Sequence, residues 1–403
     1  MHGRTSLHHP IEPGELSFEL RVPAKVVFGW GKRSTIGEVA ASLGRRAWIV
    51  AGSRTLEAAG VPQEMEKRLA EKGIETRRVT CASREPETSD VDEAVAAIRP
   101  QLKDGDCLIA VGGGSTIDLA KAVAGLVTQR ETAPVRDYLE GVGRGLKLVE
   151  APLPLIAVPT TSGTGTEATK NAVISSYDPL FKKSLRDERL VPSAVLIDPE
   201  LTVSNSPEVT AHSGMDAITQ LIESYVTKKA TRLTKALCRE GLRAAIPAIE
   251  VAYKEPTNRA AREAMSYAAW LSGVTLANSG LGMAHGVAAA LGVHCKAPHG
   301  LACAVMLVPS MKANLQLCYR DFAQIGELIA GGAVGSDEMD ADLAIVNLEM
   351  LATSLGIPKR LRELGVREDQ LAPLVAASRG NSMSGNPRDL SDNELLEVLT
   401  TIW

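Results

Sequence analysis

Five apolar residues at 107–111 (CLIAV) run straight into three glycines and then into an Ala- and Val-rich stretch reaching 127. The short apolar run reads as a buried strand, and the residues from 116 onward carry helical spacing. A strand that turns through glycine into a helix is the repeating unit of a parallel α/β sheet. The unit recurs: 25–28, 47–51, 75–80, 155–158, 172–174 and 194–197 read as further strands, with helices at 34–43, 55–59, 62–72 and 91–102. Beyond residue 207 the pattern changes. Helical periodicity then covers 208–226, 232–253, 258–276, 285–291, 299–314, 319–330, 341–355 and 391–402, with no convincing strand.

A chain of 403 residues exceeds what one hydrophobic core serves, so two domains are expected. The pattern assigns 1–198 to an α/β, Rossmann-like nucleotide-binding domain with a mostly parallel sheet, and 199–403 to an all-helical domain, the change falling in IDPELT (197–202). Residues 1–15 read as a tail, polar and without the apolar segment of a secretory signal. Residues 267–292 lack Asp, Glu, Lys and Arg and are long enough to span a bilayer, but they hold Asn278, His285 and five glycines. Unpaired polar groups are costly in lipid, so this stretch is read as a helix–loop–helix buried in protein. A formal charge of −4, with basic residues scattered, gives no basis for nucleic-acid binding. Six cysteines without a CxxC pair read as reduced thiols of a cytoplasmic protein.

Three loops carry ligand-binding character. In VGGGSTIDLAK (111–121) glycines would let backbone N–H groups approach a pyrophosphate at a helix N-terminus; a tight strand-to-helix turn is the other reading, since G-x-G-x-x-G is absent. VPTTSGTGTEAT (158–169) is rich in hydroxyls and also follows a strand. Two such loops at the carboxyl ends of successive strands match the place where open α/β sheets bind ligands. Gly52 and Ser53 follow the second strand, where nucleotide folds read the adenosine ribose. No acid stands there to repel a 2′-phosphate, which favours NADP over NAD, or marks an ordinary turn that tolerates both.

In the helical half, Asp216 and Gln220 stand four residues apart on one helix face, with Glu223 seven residues after Asp216, and His285 and His299 interrupt an apolar, small-residue stretch. Each pair alone is open to a structural reading, in interdomain hydrogen bonds or as satisfied core histidines. Together they resemble a metal site of Asp, His and His with a weak amide ligand.

The long motifs GGGSTIDLAK, PTTSGTGTEAT, IDPELT, GMDAITQLIE and GLGMAH…PHG, in this order over nearly the whole chain, resemble the iron-containing (group III) alcohol dehydrogenase family. The resemblance implies that Gly112, Gly113, Gly114 and Ser115 hold the cofactor pyrophosphate, with Asp118 supporting the turn, and that Thr160, Thr161, Thr164 and Thr166 line the nucleotide and nicotinamide. Asp216, His285 and His299 match three of the family's four ligands, for Fe²⁺ or, in some members, Zn²⁺. Two departures stand out: Gln220 where the fourth ligand is normally histidine, and Ala289 where many members carry a histidine in a proposed proton relay. The implied activity is interconversion of a small alcohol and its carbonyl compound by a homo-oligomeric enzyme. The alternatives are a metal-independent reductase of an oxo acid, as in maleylacetate reductases, with His285 or His299 hydrogen-bonding the carbonyl; a lyase on the related dehydroquinate-synthase scaffold; and a non-catalytic nucleotide-binding protein.

Overall fold

The computed structural model describes residues 16–52, 54–82 and 84–403, with Arg54 described in its backbone only. The expected tail and Ser53 therefore lie outside the described residues. Six strands, β1 (Lys25–Phe28), β2 (Arg46–Ala51), β3 (Glu75–Val79), β4 (Asp106–Gly112), β5 (Leu155–Pro159) and β8 (Ala194–Ile197), form one parallel sheet in the order β1-β8-β5-β4-β2-β3. Between them run α1 (Ile36–Ala41), α2 (Arg54–Ala58), α3 (Val61–Ala70), α4 (Thr88–Ile98) and α5 (Gly114–Val127). Both faces of the sheet are covered, which is why CLIAV and WIV carry no polar alternation. Trp48, Val50, Leu108 and Ala110 pack toward α4 and α5, whereas Ala47, Ile49, Cys107 and Ile109 pack toward α1 and α3. Register aligns Ala51 with Val111 and Gly112 with Pro159, so the loops after β2, β4 and β5 emerge level at one edge.

One strand differs in its partner. β6 (Asn171–Tyr177) does not join the parallel sheet; it pairs antiparallel with β7 (Leu180–Arg186), a strand absent from the sequence reading. LFKKSLR lacks an apolar alternation, and a two-residue period in β6 says nothing about which strand it meets. The hairpin docks beside the loop after β3, where the Ser175 amide donates to the Pro86 carbonyl at 2.9 Å.

The second half is helical: α6 (Pro207–Val226), α7 (Arg232–Lys254), α8 (Arg259–Ser279), α9 (Met283–Cys295), α10 (His299–Ala330), α11 (Asp337–Ser354), α12 (Leu371–Ala377) and α13 (Asp392–Thr401). They enclose a single apolar cluster running from Ala211 to Leu399. The expected break near 315–318 is absent, because no glycine or proline stands there to end α10. The charge-free stretch folds as the end of α8 and α9, bent by 102° and packed inside the protein. α10 is itself long and apolar enough to cross a membrane, yet 56% of its apolar window is buried in the fold.

Candidate active site

The three loops meet at the carboxyl edge of the sheet through contacts that only glycine permits. A Cβ on Gly52 would stand 2.0 Å from Thr116 Oγ1, and one on Gly112 would stand 2.3 Å from the same atom. Gly113 abuts Thr161, and Gly114 abuts Thr164. Gly113 caps α5 in extended conformation with no side-chain cap, so the first N–H groups of that helix are free for an anion. The Thr160 amide donates to the Gly112 carbonyl at 3.0 Å, joining the second loop to the first.

Asp118 does not brace the glycine turn. Its buried carboxylate accepts from Thr166 Oγ1 at 2.5 Å and from the Val173 amide at 3.2 Å, tying the threonine loop and β6 to α5. One helical turn on, Lys121 is wholly buried and donates to Thr166 Oγ1, Thr169 Oγ1 and the Asn171 carbonyl, each at 2.9 Å. Burial lowers its pKa to about 8 despite Asp118 and Glu167 nearby. Lys121 lies within a motif legible in the sequence, but its role as a staple is visible only once β6 is placed.

A cleft of about 280 Å³ runs from these loops to the helical half, lined by Gly114, Ser115, Thr164 and Thr166 on one side and by Gln220, His285, Ala289 and His299 on the other. Behind the cleft-lining His285 and His299, Asp216, from α6, is 1% exposed. His285 Nε2, from the first turn of α9, stands 3.1 Å from Asp216 Oδ1, while its Nδ1 meets Glu223 Oε2 at 2.6 Å. His299 Nε2, opening α10, lies 4.0 Å from Asp216 Oδ1. Burial works against charge on Asp216, but His299 and His285 hold its carboxyl below the usual range. Burial likewise opposes charge on His285, yet Cys303, Asp216 and Glu223 raise its pKa well above 6.5. Burial lowers His299 to about 4, against the pull of Asp216.

This donor set fits a divalent cation. Ligand atoms of Asp216, His285, His299 and Cys303 all lie within 4.8 Å of one another. The Glu223–His285 contact turns Nε2 toward the cluster, as outer-sphere carboxylates do for metal-bound histidine. Gln220 is placed beside the cluster but otherwise engaged: its amide oxygen faces Ser272 Oγ at 2.7 Å, and its nitrogen donates to the Thr164 carbonyl at 3.2 Å. Glu85 and Lys182 flank the cleft as an ion pair of 2.6 Å and escaped the sequence reading, because Lys182 sits on the unrecognised β7.

The profile of the iron-containing alcohol dehydrogenases matches residues 23–199, and that of the family's C-terminal part matches 210–403. The chain belongs to the iron-containing alcohol dehydrogenase family. It is 31% identical over 381 residues to the NAD-dependent methanol dehydrogenase of Bacillus methanolicus, covering 94% of this chain and 98% of that one. It is 32% identical over 388 residues to the 1,3-propanediol dehydrogenase of Klebsiella pneumoniae, covering 94% and 97%. Among solved structures, a 1,3-propanediol oxidoreductase superposes with a TM-score of 0.89 at 30% identity, covering 96% of this chain and all of that one. As a family member the chain is an oxidoreductase of the alcohol dehydrogenase class.

Proposed function

We propose that the enzyme interconverts a small alcohol and its aldehyde or ketone in the cleft, with a divalent metal at Asp216, His285 and His299 and the cofactor on the β4–α5 turn. The observation that carries this reading is one carboxylate, two imidazoles and an outer carboxylate converging on the wall opposite the glycine-lined helix N-terminus. A bound nicotinamide would supply the hydride acceptor or donor, and a bound divalent cation would polarise the substrate oxygen. Gly112, Gly113, Gly114 and Ser115 would receive the pyrophosphate, and Thr161, Thr164 and Thr166, held in place by Asp118 and Lys121, the nicotinamide end. Thr160 holds the second loop to the first. Ala289 lines the cleft and can carry no proton, so this position supplies neither acid nor base to the substrate oxygen. The sequence after β2 carries no acid at 52 or 53 to repel a 2′-phosphate, which supports NADP alongside NAD.

Three cations line the cleft: Lys182 pairs with Glu85 at 2.6 Å and Arg186 with Glu140 at 2.7 Å, while Lys183 has no ion pair among the described residues. Segment 16–22 supports self-association, with Leu16, Phe18, Leu20 and Val22 exposed at alternate positions. The division of the chain into domains 1–198 and 199–403 belongs to the same reading. The deciding experiment screens small alcohols and aldehydes with NAD(H) and NADP(H), after chelation and after return of Fe²⁺ or Zn²⁺. Activity should vanish on chelation and return with metal; full activity in the chelated protein would sink the metal reading in favour of carbonyl activation by His285 or His299.

A further inference from the structure

We propose that Cys303, not Gln220, is the fourth protein ligand of this site, making it an Asp–His–His–Cys centre whose thiolate turns metal preference toward Zn²⁺. The inference rests on the metal reading above and adds the identity of the fourth corner.

Gln220 has little to offer a cation. The Thr164 carbonyl can only accept, which fixes the amide nitrogen toward it and the oxygen toward Ser272. Turning that oxygen to a metal would break its hydrogen bond with Ser272 and draw the amide nitrogen from the Thr164 carbonyl, the two contacts that hold the side chain in its pose. Ser272 itself would keep the Ala269 carbonyl at 2.7 Å.

Cys303 is placed differently. It follows His299 by one turn of α10, so both side chains leave the same helix face. Its Sγ lies 3.7 Å from His299 Nε2, and it completes the set of four donor atoms within 4.8 Å. Tetrahedral bonds of about 2.0–2.3 Å set ligand atoms roughly 3.3–3.8 Å apart, so movements of about 1 Å close the sphere. A structural cysteine behaves as a small hydrophobe in apolar surroundings. This one faces a carboxylate and two imidazoles.

Charge and softness agree with the geometry. Asp216 and a thiolate together neutralise a divalent cation, with both imidazoles neutral. On binding, the thiol proton passes to solvent. Thiolate is a soft ligand and selects Zn²⁺ over the harder ions that carboxylate and amide oxygens suit. Within this chain, then, a glutamine engaged elsewhere at 220 and a cysteine facing the cluster at 303 assign the fourth corner to sulfur.

Cobalt substitution tests this directly. Metal-free protein reloaded with Co²⁺ should show a near-ultraviolet thiolate-to-cobalt charge-transfer band, retained in Gln220→Ala and lost in Cys303→Ser. Cys303→Ser should also bind Zn²⁺ about tenfold or more weaker in competition with a chromophoric chelator, and its ratio of Zn²⁺ to Fe²⁺ affinity should fall. Unchanged cofactor binding and thermal unfolding would show that this variant folds. X-ray absorption at the zinc edge of the parent needs no variant: one sulfur at about 2.3 Å is expected. Bound cobalt without the band, a band surviving in Cys303→Ser, or a zinc shell without sulfur would overturn the ligand assignment and leave the metal reading standing. A parent protein that takes up neither Co²⁺ nor Zn²⁺ would overturn both.

Discussion

Glu223 shows how a single side chain sets the chemistry of its neighbour. It stands seven residues after Asp216 on α6 and reaches His285 Nδ1 at 2.6 Å, while the Ala284 amide donates to its other oxygen at the same distance. The carboxylate thus fixes both the ring and the first turn of α9, and fixes which nitrogen faces the cluster. Glu223→Gln should weaken metal binding about 10- to 100-fold with little change in cofactor affinity, as read by chelator competition beside a cofactor titration. At residue 53 the prediction concerns selectivity. Ser53→Asp places an acid after β2 that accepts from a ribose hydroxyl and repels a 2′-phosphate, so the NAD-to-NADP ratio of kcat/KM should rise about tenfold or more. An unchanged ratio would show that the discriminating contact lies elsewhere. Asp216, His285 and His299 were legible in the sequence because polar groups among small apolar residues demand an explanation. Cys303 was not, because a cysteine in an apolar helix looks like packing until the histidine one turn earlier is known to face the same cluster.

Among elements, the threonine loop after β5 depends on both halves of the molecule. Gly165 adopts φ +59°, and its carbonyl lies 2.1 Å from where a Cβ on Gly273 of α8 would stand. Backbone packs on backbone there, fixing the loop that carries Thr164 and Thr166 to the helical half. Gly273→Ala should destabilise the protein by about 1–3 kcal/mol and raise KM for the nicotinamide cofactor, by urea unfolding and steady-state kinetics. The same loop buries Glu167, whose carboxyl is pushed by burial from 4.5 up to about 7, against the pull of Lys121. The folded state therefore holds this proton more tightly than the unfolded chain does, and stability is lost as pH rises from 4.5 through 7. Glu167→Gln should flatten that decline, measured as the urea midpoint against pH; an equally steep decline in the variant would place the titrating group elsewhere. The β–glycine–helix units could be read ahead of the structure because each is a local pattern. The β6–β7 hairpin could not: LFKKSLR carries two adjacent lysines and an arginine, and what makes it a strand is its antiparallel backbone pairing with β6, while Lys182 and Arg186 answer to Glu85 and Glu140 far off in the chain.

At the scale of the whole molecule, the cleft exists because two cores are joined along one seam, with Trp270 packed against both the helical cluster and the α4–α5 face of the sheet. The change of pattern after residue 207 announced two cores, but the seam rests on contacts such as Gly165 with Gly273 that no local spacing encodes. One surface is left unexplained by a single chain. Segment 16–22 runs without regular secondary structure ahead of β1, anchored where Arg21 exchanges backbone hydrogen bonds with the Asn278 side chain at 2.7 and 2.9 Å. Leu16, Phe18, Leu20 and Val22 remain 54%, 51%, 42% and 41% exposed. Alternate exposed apolar residues on an anchored segment make a surface suited to packing against another chain. Burying the exposed half of each side chain is worth roughly 1 kcal/mol, and twofold symmetry counts every contribution twice. Replacing Leu16, Phe18 and Leu20 together by Ser should therefore shift the protein toward monomer in size-exclusion chromatography with light scattering. The active-site cluster, built from α6, α9 and α10 of one chain, should keep its metal affinity in that variant. An unchanged oligomer would place the interface on another face, and a monomeric parent would show that this apolar edge serves some other contact.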